Sequence, residues 1–175
     1  AALCAGVYDD RIAITAPNSS GTGGTSSLRY FEEGQRPQTI RHHVGKNERW
    51  FNPRYFLFAD KEDRLPFDSH FARAVVAPRA LVNCHARQDY WANPYGTELT
   101  HRATEIVFKW LNVGDRIGLH WREGTQAQNQ EDWTALLDFA DHYFFDKQTD
   151  QKFDDWAYPD AELPFDWKAP PALSQ

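Results

Sequence analysis

Apolar runs of strand length alternate with segments of helical period along this chain, and this alternation is the feature that most limits its possible folds. The runs are Arg11–Ala16, Arg79–His85 and Arg116–Trp121. Each is short, rich in Ile, Leu or Val and followed by a polar loop, as is typical of buried parallel strands. Segments with helical spacing follow the second and third runs, at Glu98–Leu111 and Glu131–Phe145. The pattern predicts an α/β fold with a mostly parallel sheet.

Each helical segment predicts one buried apolar face. In the first segment, the residues at the spacing of a single face are Leu99, Ala103, Ile106, Val107 and Trp110. In the second segment, they are Trp133, Leu136, Leu137, Ala140 and Phe144. The order strand, helix, strand, helix from residue 79 to 145 is a crossover unit, and such connections are nearly always right-handed.

Composition and charge exclude several classes of function. The chain has 19 Lys and Arg against 25 Asp and Glu, a formal charge of −6, so no basic field exists to hold nucleic acid. It contains neither an apolar stretch long enough to span a membrane nor a visible signal peptide. Cys4 and Cys84 are too far apart for a CxxC metal pair and are interpreted as two buried thiols. No HExxH or comparable ligand spacing occurs, so a metal site is not predicted.

The chain begins with Ala and contains no Met. We therefore expect the natural start codon to lie upstream and the chain to be the C-terminal half of a domain. Residues 1–145 form the predicted domain part, and its opening stretch, Ala1–Asp10, is compatible with a helix. Residues 146–175 combine aromatic side chains with prolines and carboxylates in no regular period. This composition predicts an extended tail packed on the domain surface.

Polar residues that follow the predicted strands are the candidates for a functional site. Ligands of open parallel sheets bind at the carboxyl ends of the strands. The three loops there contain PNSSGTGG after the first strand, ARQDYWANP after the second and REGTQAQN after the third. We expect these loops to converge in space.

The histidines are expected to have structural positions. His42 and His43 are adjacent, so their side chains should point apart, and we expect them in a surface turn. His85 and His120 lie at or near the ends of predicted strands, and we expect them to be satisfied core residues.

Five stretches give the chain a resemblance to a known family. They are AITAPNSSGTGG (13–24), residues 37–51 with their QT and WF, LPFDSHFARAVVAPR (65–79), DYWANP (89–94) and EDWTALLDFADH (131–142). In this order and spacing, they resemble the C-terminal half of the glucuronoyl esterases, carbohydrate esterase family 15. The likeness covers residues 1–145, and the opening AALCAGVYD resembles the helix directly behind the family's nucleophile elbow.

The resemblance implies a three-layer αβα fold of the α/β-hydrolase type, truncated here to its C-terminal half. It also implies a serine-type carboxylic ester hydrolase, without a cofactor, that cleaves esters between the glucuronoyl groups of xylan and lignin alcohols. An export to the periplasm or the exterior is implied by the family alone. The oligomeric state is left open.

The catalytic positions depart from the family pattern in three ways. No G-x-S-x-G elbow occurs in the chain. Ser19 stands where the family usually has its acidic residue, although some members resemble this chain in placing the acid after the next strand, at Asp89. Gln126 stands where the family has its histidine, and an amide cannot accept the serine proton. His120 lies six residues before Gln126, within a predicted strand. It is a less favoured substitute for the missing catalytic base.

The resemblance also points to residues that contact the sugar. Trp91 matches a residue that packs on the glucuronoyl ring, and Gln38 and Glu48 match polar groups that hydrogen-bond it; Asn47 is an alternative to Glu48. Without the resemblance, Trp91 and Asp89 are more simply read as a structural tryptophan and a turn residue. Two rival functions stay open: an inactive carbohydrate-binding homologue, and an esterase of the same fold that acts on acetylated sugars.

Overall fold

The computed structural model describes residues 1–171. The strands are β1 (Ile14–Thr15), β2 (Ala80–Ala86) and β3 (Ile117–Arg122). The helices are α1 (Ala2–Tyr8), α2 (Ile40–His43), α3 (Ser69–Ala74), α4 (Pro94–Trp110) and α5 (Gln130–Phe145). The strands form one parallel sheet in the order β1-β2-β3, which confirms the predicted α/β class.

The central strand β2 is buried on both faces. Leu81 belongs to an apolar cluster with residues of α1 and α4. Its neighbours Ala80 and Val82 belong to a second cluster, with Phe139 of α5. Because successive side chains of a strand point to opposite faces, the sheet has helices on both sides. The architecture is therefore a three-layer αβα sandwich.

Strands β2 and β3 lie one residue further along the chain than predicted, and β1 is shorter than predicted. The register is Ile14 with Ala80 at β1 and Leu81 with Ile117 at β3. Pro17 has no N–H to donate, so regular pairing of β1 stops before it. A single bridge then joins Asn18 to Cys84 of β2, so the chain stays beside β2 up to residue 18.

Helix α4 begins four residues earlier than its apolar spacing predicts. The side chain of Asn93 accepts the N–H of Gly96 at 2.9 Å, and Pro94 occupies the first turn, where a missing N–H costs nothing. The predicted face is found in part, because Leu99 and Ala103 are fully buried. Polar residues of α4, including Thr100, are buried beside them.

The predicted face of α5 is found only in part, because Leu136 packs against the apolar cluster that contains Phe139. Trp133, Leu137 and Phe144 are 51%, 63% and 54% exposed, whereas Phe139 is buried. The physical reason is Asp132, which is buried and forms an ion pair with Arg122 of β3 at 2.8 Å. Since a buried Arg needs its carboxylate partner, the face of α5 that carries Asp132 packs on the sheet.

The long loop after β1 is held by buried polar side chains of α3 and its N-cap. Asp68 accepts hydrogen bonds from the Ser27 hydroxyl at 2.7 Å and from the Leu28 N–H at 2.8 Å. Arg73 is completely buried and donates to the carbonyls of Thr25 and Thr97 at 3.3 and 3.0 Å. These bonds fix the Gly-rich part of the loop near the ends of the strands.

The segment after α5 contacts the domain at several points. The carbonyl of Phe153 accepts the Leu119 N–H at 2.8 Å along the edge of β3. Further along, the ring of Trp167 lies 4.6 Å from that of His70. The division into residues 1–145 and 146–175 stays a prediction, and residues 172–175 of the predicted tail lie outside the described residues. Within residues 1–171, the helices are all too short or too polar to cross a membrane.

Candidate functional site

Ser19 and Asp89 lie side by side at the ends of adjacent strands. The N–H of Ser19 donates to the carbonyl of Cys84 in β2 at 2.8 Å. Asp89 follows β2 and precedes a short 3₁₀ turn, Tyr90–Ala92, whose last N–H bonds to the Asp89 carbonyl at 2.9 Å. The structure therefore brings together the two positions at which the sequence predicts the catalytic acid.

Both side chains at this corner are buried, each with 4% of its surface exposed. Burial raises the pKa of Asp89, while the Ala92 N–H, the Ser19 hydroxyl and the charge of Arg122 act in the opposite direction. No hydrogen bond of regular geometry reaches Asp89 Oδ2 or the Ser19 hydroxyl. An orphaned buried carboxylate oxygen is costly, and an N–H of a neighbouring imidazole would satisfy it.

Gln126 lies on the exposed loop that follows β3. Its loop is tied to the Asp89 loop, because the N–H of Gln88 donates to the carbonyl of Gly124 at 3.1 Å. Arg122 holds the loop from below by donating to the Ala127 carbonyl at 2.7 Å. The predicted convergence of the second and third loops is thus present in the structure.

A cavity of about 550 Å³ opens beside these loops. It is lined by the start of α1, by the Gly-rich segment 20–24, by Gln38 and His43, by aromatic side chains of residues 50–51 and by Gln126. Asp89, Glu48 and Trp91 are not part of this lining. The prediction that Cys4 is a buried thiol is wrong, because Cys4 is exposed at this cavity.

Gly23 shapes the floor of the cavity. Its φ of +81° belongs to the left-handed region, and a Cβ at this position would lie 2.6 Å from the Phe51 ring. Only glycine meets both constraints without strain. The GTGG string in the sequence is the signal for this tight backbone.

The expected surface position of the adjacent histidines is wrong for His43, which is only 2% exposed. Its Nε2 lies 3.3 Å from the Thr22 carbonyl oxygen, and its Nδ1 lies 3.1 Å from the amide nitrogen of Asn47. Burial lowers the pKa of His43. The ring also packs against Phe51, at 4.7 Å between centroids. The Thr22 contact comes from a loop 21 residues away, and the adjacent HH string gives no sign of it.

Two of the predicted sugar-contact residues, Gln38 and Trp91, contact each other through their backbones. The carbonyl of Trp91 accepts the Gln38 N–H at 2.9 Å, and the indole is 46% exposed. The His42 ring meets the indole edge-to-face at 4.8 Å. Glu48 is exposed and accepts the N–H of Gly45 at 3.1 Å.

His85 and His120 are buried, as expected, but the expectation that they are satisfied is wrong, because the Nε2 of each ring has no hydrogen-bond partner among the described residues. His120 is part of β3 and is not among the residues that line the cavity. Its Nε2 lies 3.8 Å from the carboxylate of Glu131. Burial lowers the pKa of His120 as well. Among residues 1–171, no group of three or more His, Cys, Asp or Glu is arranged to hold a metal ion.

Comparisons with known proteins show the family of this chain. The family model described as fungal glucuronyl esterase matches residues 1–112. A carbohydrate esterase from an unknown prokaryotic organism is 34% identical over 157 residues, which cover 81% of this chain and 35% of the relative. A 4-O-methyl-glucuronoyl methylesterase of Schizophyllum commune is 32% identical, with 83% of this chain and 37% of the relative covered. The chain thus spans about a third of the length of these relatives.

A solved structure shows the same fold. The family 15 glucuronoyl esterase from Caldicellulosiruptor kristjansonii superimposes with a TM-score of 0.89 at 31% identity, over 97% of this chain and 46% of that one. The glucuronoyl esterase catalytic domain of Hypocrea jecorina gives a TM-score of 0.82 at 26% identity, over 99% of this chain and 49% of the other. The α/β-hydrolase fold implied by the resemblance is therefore confirmed.

Proposed function

Because this chain belongs to the glucuronoyl esterase family, carbohydrate esterase family 15, we propose that it forms the acid-bearing and sugar-facing part of a serine-type carboxylic ester hydrolase. The observation that carries the proposal is the buried pair Ser19 and Asp89 at the ends of adjacent strands, beside the loop that bears Gln126. A carboxylate at this place can orient and stabilise an imidazolium on the neighbouring loop. The nucleophilic serine would come from the part of the family domain that this chain does not span.

The proposed substrate is a glucuronoyl ester, in line with the name of the Schizophyllum relative; the family resemblance adds that the glucuronoyl group belongs to xylan and that the alcohol part is a lignin alcohol. A sugar ring presents an apolar C–H face that packs on an exposed indole such as Trp91, while its hydroxyls need polar partners such as Gln38. Glu48 is a further proposed contact. The location outside the cytoplasm also remains a proposal, resting on the family alone.

Gln126 lowers the esterase activity that we expect of this protein. In acyl transfer by a serine, a base takes the hydroxyl proton and then gives it to the departing alcohol. An amide side chain does neither near neutral pH. When one member of such a triad is missing, what is left is the contribution of binding and of the oxyanion site. We therefore expect the natural protein to be a weak esterase.

The test is the hydrolysis of the methyl ester of 4-O-methyl-glucuronic acid by the full-length protein and its Gln126→His variant. We expect the variant to be at least about 10-fold faster, because His would complete the relay with Asp89. Gln126→Asn is the matched control and should leave the rate unchanged. If neither protein nor variant hydrolyses the ester, the esterase proposal fails.

A second candidate function is supported by the same residue. Gln126 is what a non-catalytic carbohydrate-binding homologue would carry, with Trp91 and Gln38 retained. Calorimetric titration with glucuronic acid or its methyl ester distinguishes the two functions. Binding without turnover, in both the natural protein and the Gln126→His variant, would favour the binding protein.

A further inference from the structure

A buried histidine outside the candidate site connects the segment after α5 to the body of the domain. His70, in the first turn of α3, is only 4% exposed. Its ring lies 4.3 Å from that of Phe165 and 4.6 Å from that of Trp167, both in the segment after α5. The ring of Phe71 lies 4.7 Å away on another side. Three aromatic rings thus surround the imidazole, and two of them belong to residues 164–171, here called the latch.

The surroundings of His70 suit a neutral ring and not an imidazolium. Its Nδ1 is buried and has no hydrogen-bond partner among the described residues. The charged groups that act on the ring are the guanidinium groups of Arg29 and Arg73. Burial lowers the pKa of His70 to about 4, and these two positive charges act in the same direction. A proton on this ring would therefore be buried without an acceptor.

The carboxylates of the elements around His70 are engaged elsewhere or exposed. Asp68, the N-cap of α3, accepts hydrogen bonds from the loop after β1 and lies 4.0 Å from the Arg29 guanidinium. In the latch, Asp166 and Lys168 are both exposed, so water screens their charges. Protonation of His70 would therefore add a positive charge beside two guanidinium groups, without a carboxylate of its own.

We propose that His70 makes the latch sensitive to pH, so that protonation of its ring releases residues 164–171 from α3. A proton on Nδ1 needs an acceptor, and water reaches this nitrogen once Phe165 and Trp167 move away. In the released form, the ring takes up its proton near the ordinary histidine pKa of about 6.5. Because the held form binds the proton more weakly, lowering the pH from 7 to 5 favours release. We expect the ratio of released to held molecules to rise on the order of 10-fold over this interval.

Release of the latch would uncover an apolar face of α4. Ile106, Val107 and Trp110 line a cavity of about 230 Å³ together with residues 167–170. The indole N–H of Trp110 also donates to the carbonyl of Pro171 at 3.2 Å. These contacts are lost when residues 164–171 leave the domain. The latch therefore covers this face of α4 at neutral pH and exposes it at acidic pH.

The experiment measures cleavage of the full-length protein after Glu162 by a glutamate-specific protease at pH 7 and pH 5. Divided by the rate for a free peptide of residues 158–171, the cleavage rate reports the released fraction. We expect this ratio to rise on the order of 10-fold at pH 5 in the natural protein. In His70→Phe, whose ring cannot take up a proton, it should stay constant. His142→Phe, at a histidine of α5, is the matched control and should keep the response. Cleavage after Glu98, which is fully buried in α4, reports unfolding of the whole domain.

Four outcomes would overturn the proposal. The first is a natural protein with the same ratio at both pH values. The second is a lower ratio at pH 5, because the aromatic rings would then stabilise the imidazolium. The third is an equal rise in cleavage after Glu98. The fourth is a response that persists in His70→Phe, which would transfer the pH sensitivity to another group, such as the buried Glu98 carboxylate that accepts the N–H groups of Ala157 and Tyr158. If His70→Phe does not fold, His70→Gln replaces it. The readout is independent of esterase activity.

Discussion

The corner that contains Ser19 and Asp89, here called the acid corner, and the loop that bears Gln126, here called the base loop, are held in place by different kinds of contact. At the acid corner, Ser19 and Asp89 are buried and their backbones are fixed by hydrogen bonds to β2 and to a 3₁₀ turn. On the base loop, Gln126 is exposed, and the loop is held by hydrogen bonds with Arg122 and with Gln88. The sheet therefore determines the acid position, whereas the base position depends on side-chain contacts, among them the buried ion pair of Arg122.

The largest effect is expected from breaking that ion pair. Arg122 and Asp132 have side chains that are 2% and 0% exposed, so Arg122→Ala would leave an uncompensated buried carboxylate. We expect a loss of about 3–5 kcal/mol in the free energy of unfolding, measured by urea denaturation. Arg87→Ala is the control, because its partners Glu123 and Asp155 are exposed and such pairs contribute at most about 1 kcal/mol. Equal losses of unfolding free energy in the two variants would contradict the claim that the buried pair of Arg122 and Asp132 stabilises the fold more than an exposed pair does.

A smaller effect is expected on the sugar-facing side. Trp91→Ala removes an exposed indole that packs against the His42 ring, and it leaves the backbone bond from Gln38 to the Trp91 carbonyl in place. We expect the Kd for glucuronic acid, measured by calorimetry, to rise about 5-fold, since the loss of one stacking ring is worth about 1 kcal/mol. Tyr90→Ala, at an equally exposed neighbour, should change the Kd little. A larger rise in Kd for Tyr90→Ala than for Trp91→Ala would indicate that the sugar packs on Tyr90.

The smallest effect concerns stability at the acid corner. Burial raises the pKa of Asp89, so its charged form lowers the stability of the folded state once the pH exceeds the ordinary pKa of an aspartate. Asp89→Asn removes this cost. We expect the variant to melt at the same temperature as the natural protein or slightly higher at neutral pH. The difference should vanish at acidic pH, where Asp89 is neutral in both states. A lower melting temperature at neutral pH would show that the carboxylate is stabilising.

Strands and helices were predictable where local pattern dominates. The runs at β2 and β3 were found to within one residue, because both strands are buried on both faces and consist largely of apolar residues. The position of Asp89 beside Ser19 was also predictable, since parallel strands end at the same edge of a sheet. The roles of these residues stay predictions.

Long-range polar contacts were not predictable. The inward face of α5 carries Asp132, which pairs with a β3 residue, beside Phe139, whereas the equally apolar Trp133 is exposed. His43 is buried by Phe51 and by the loop after β1, which nothing in the adjacent HH string reveals. Asp68 binds backbone N–H groups about forty residues away. Such contacts depend on tertiary arrangement and leave no periodic signal.

The most direct test of the contrast between the two regions measures kcat/KM for the methyl ester of 4-O-methyl-glucuronic acid in Gln126→His with and without Asp89→Asn. If the acid corner is ready for a histidine on the base loop, removing its charge should return kcat/KM to about that of the natural protein, a loss of at least about 10-fold. Parallel melting curves establish that the double variant is folded. A change of only a few-fold would contradict the account and place the acid elsewhere.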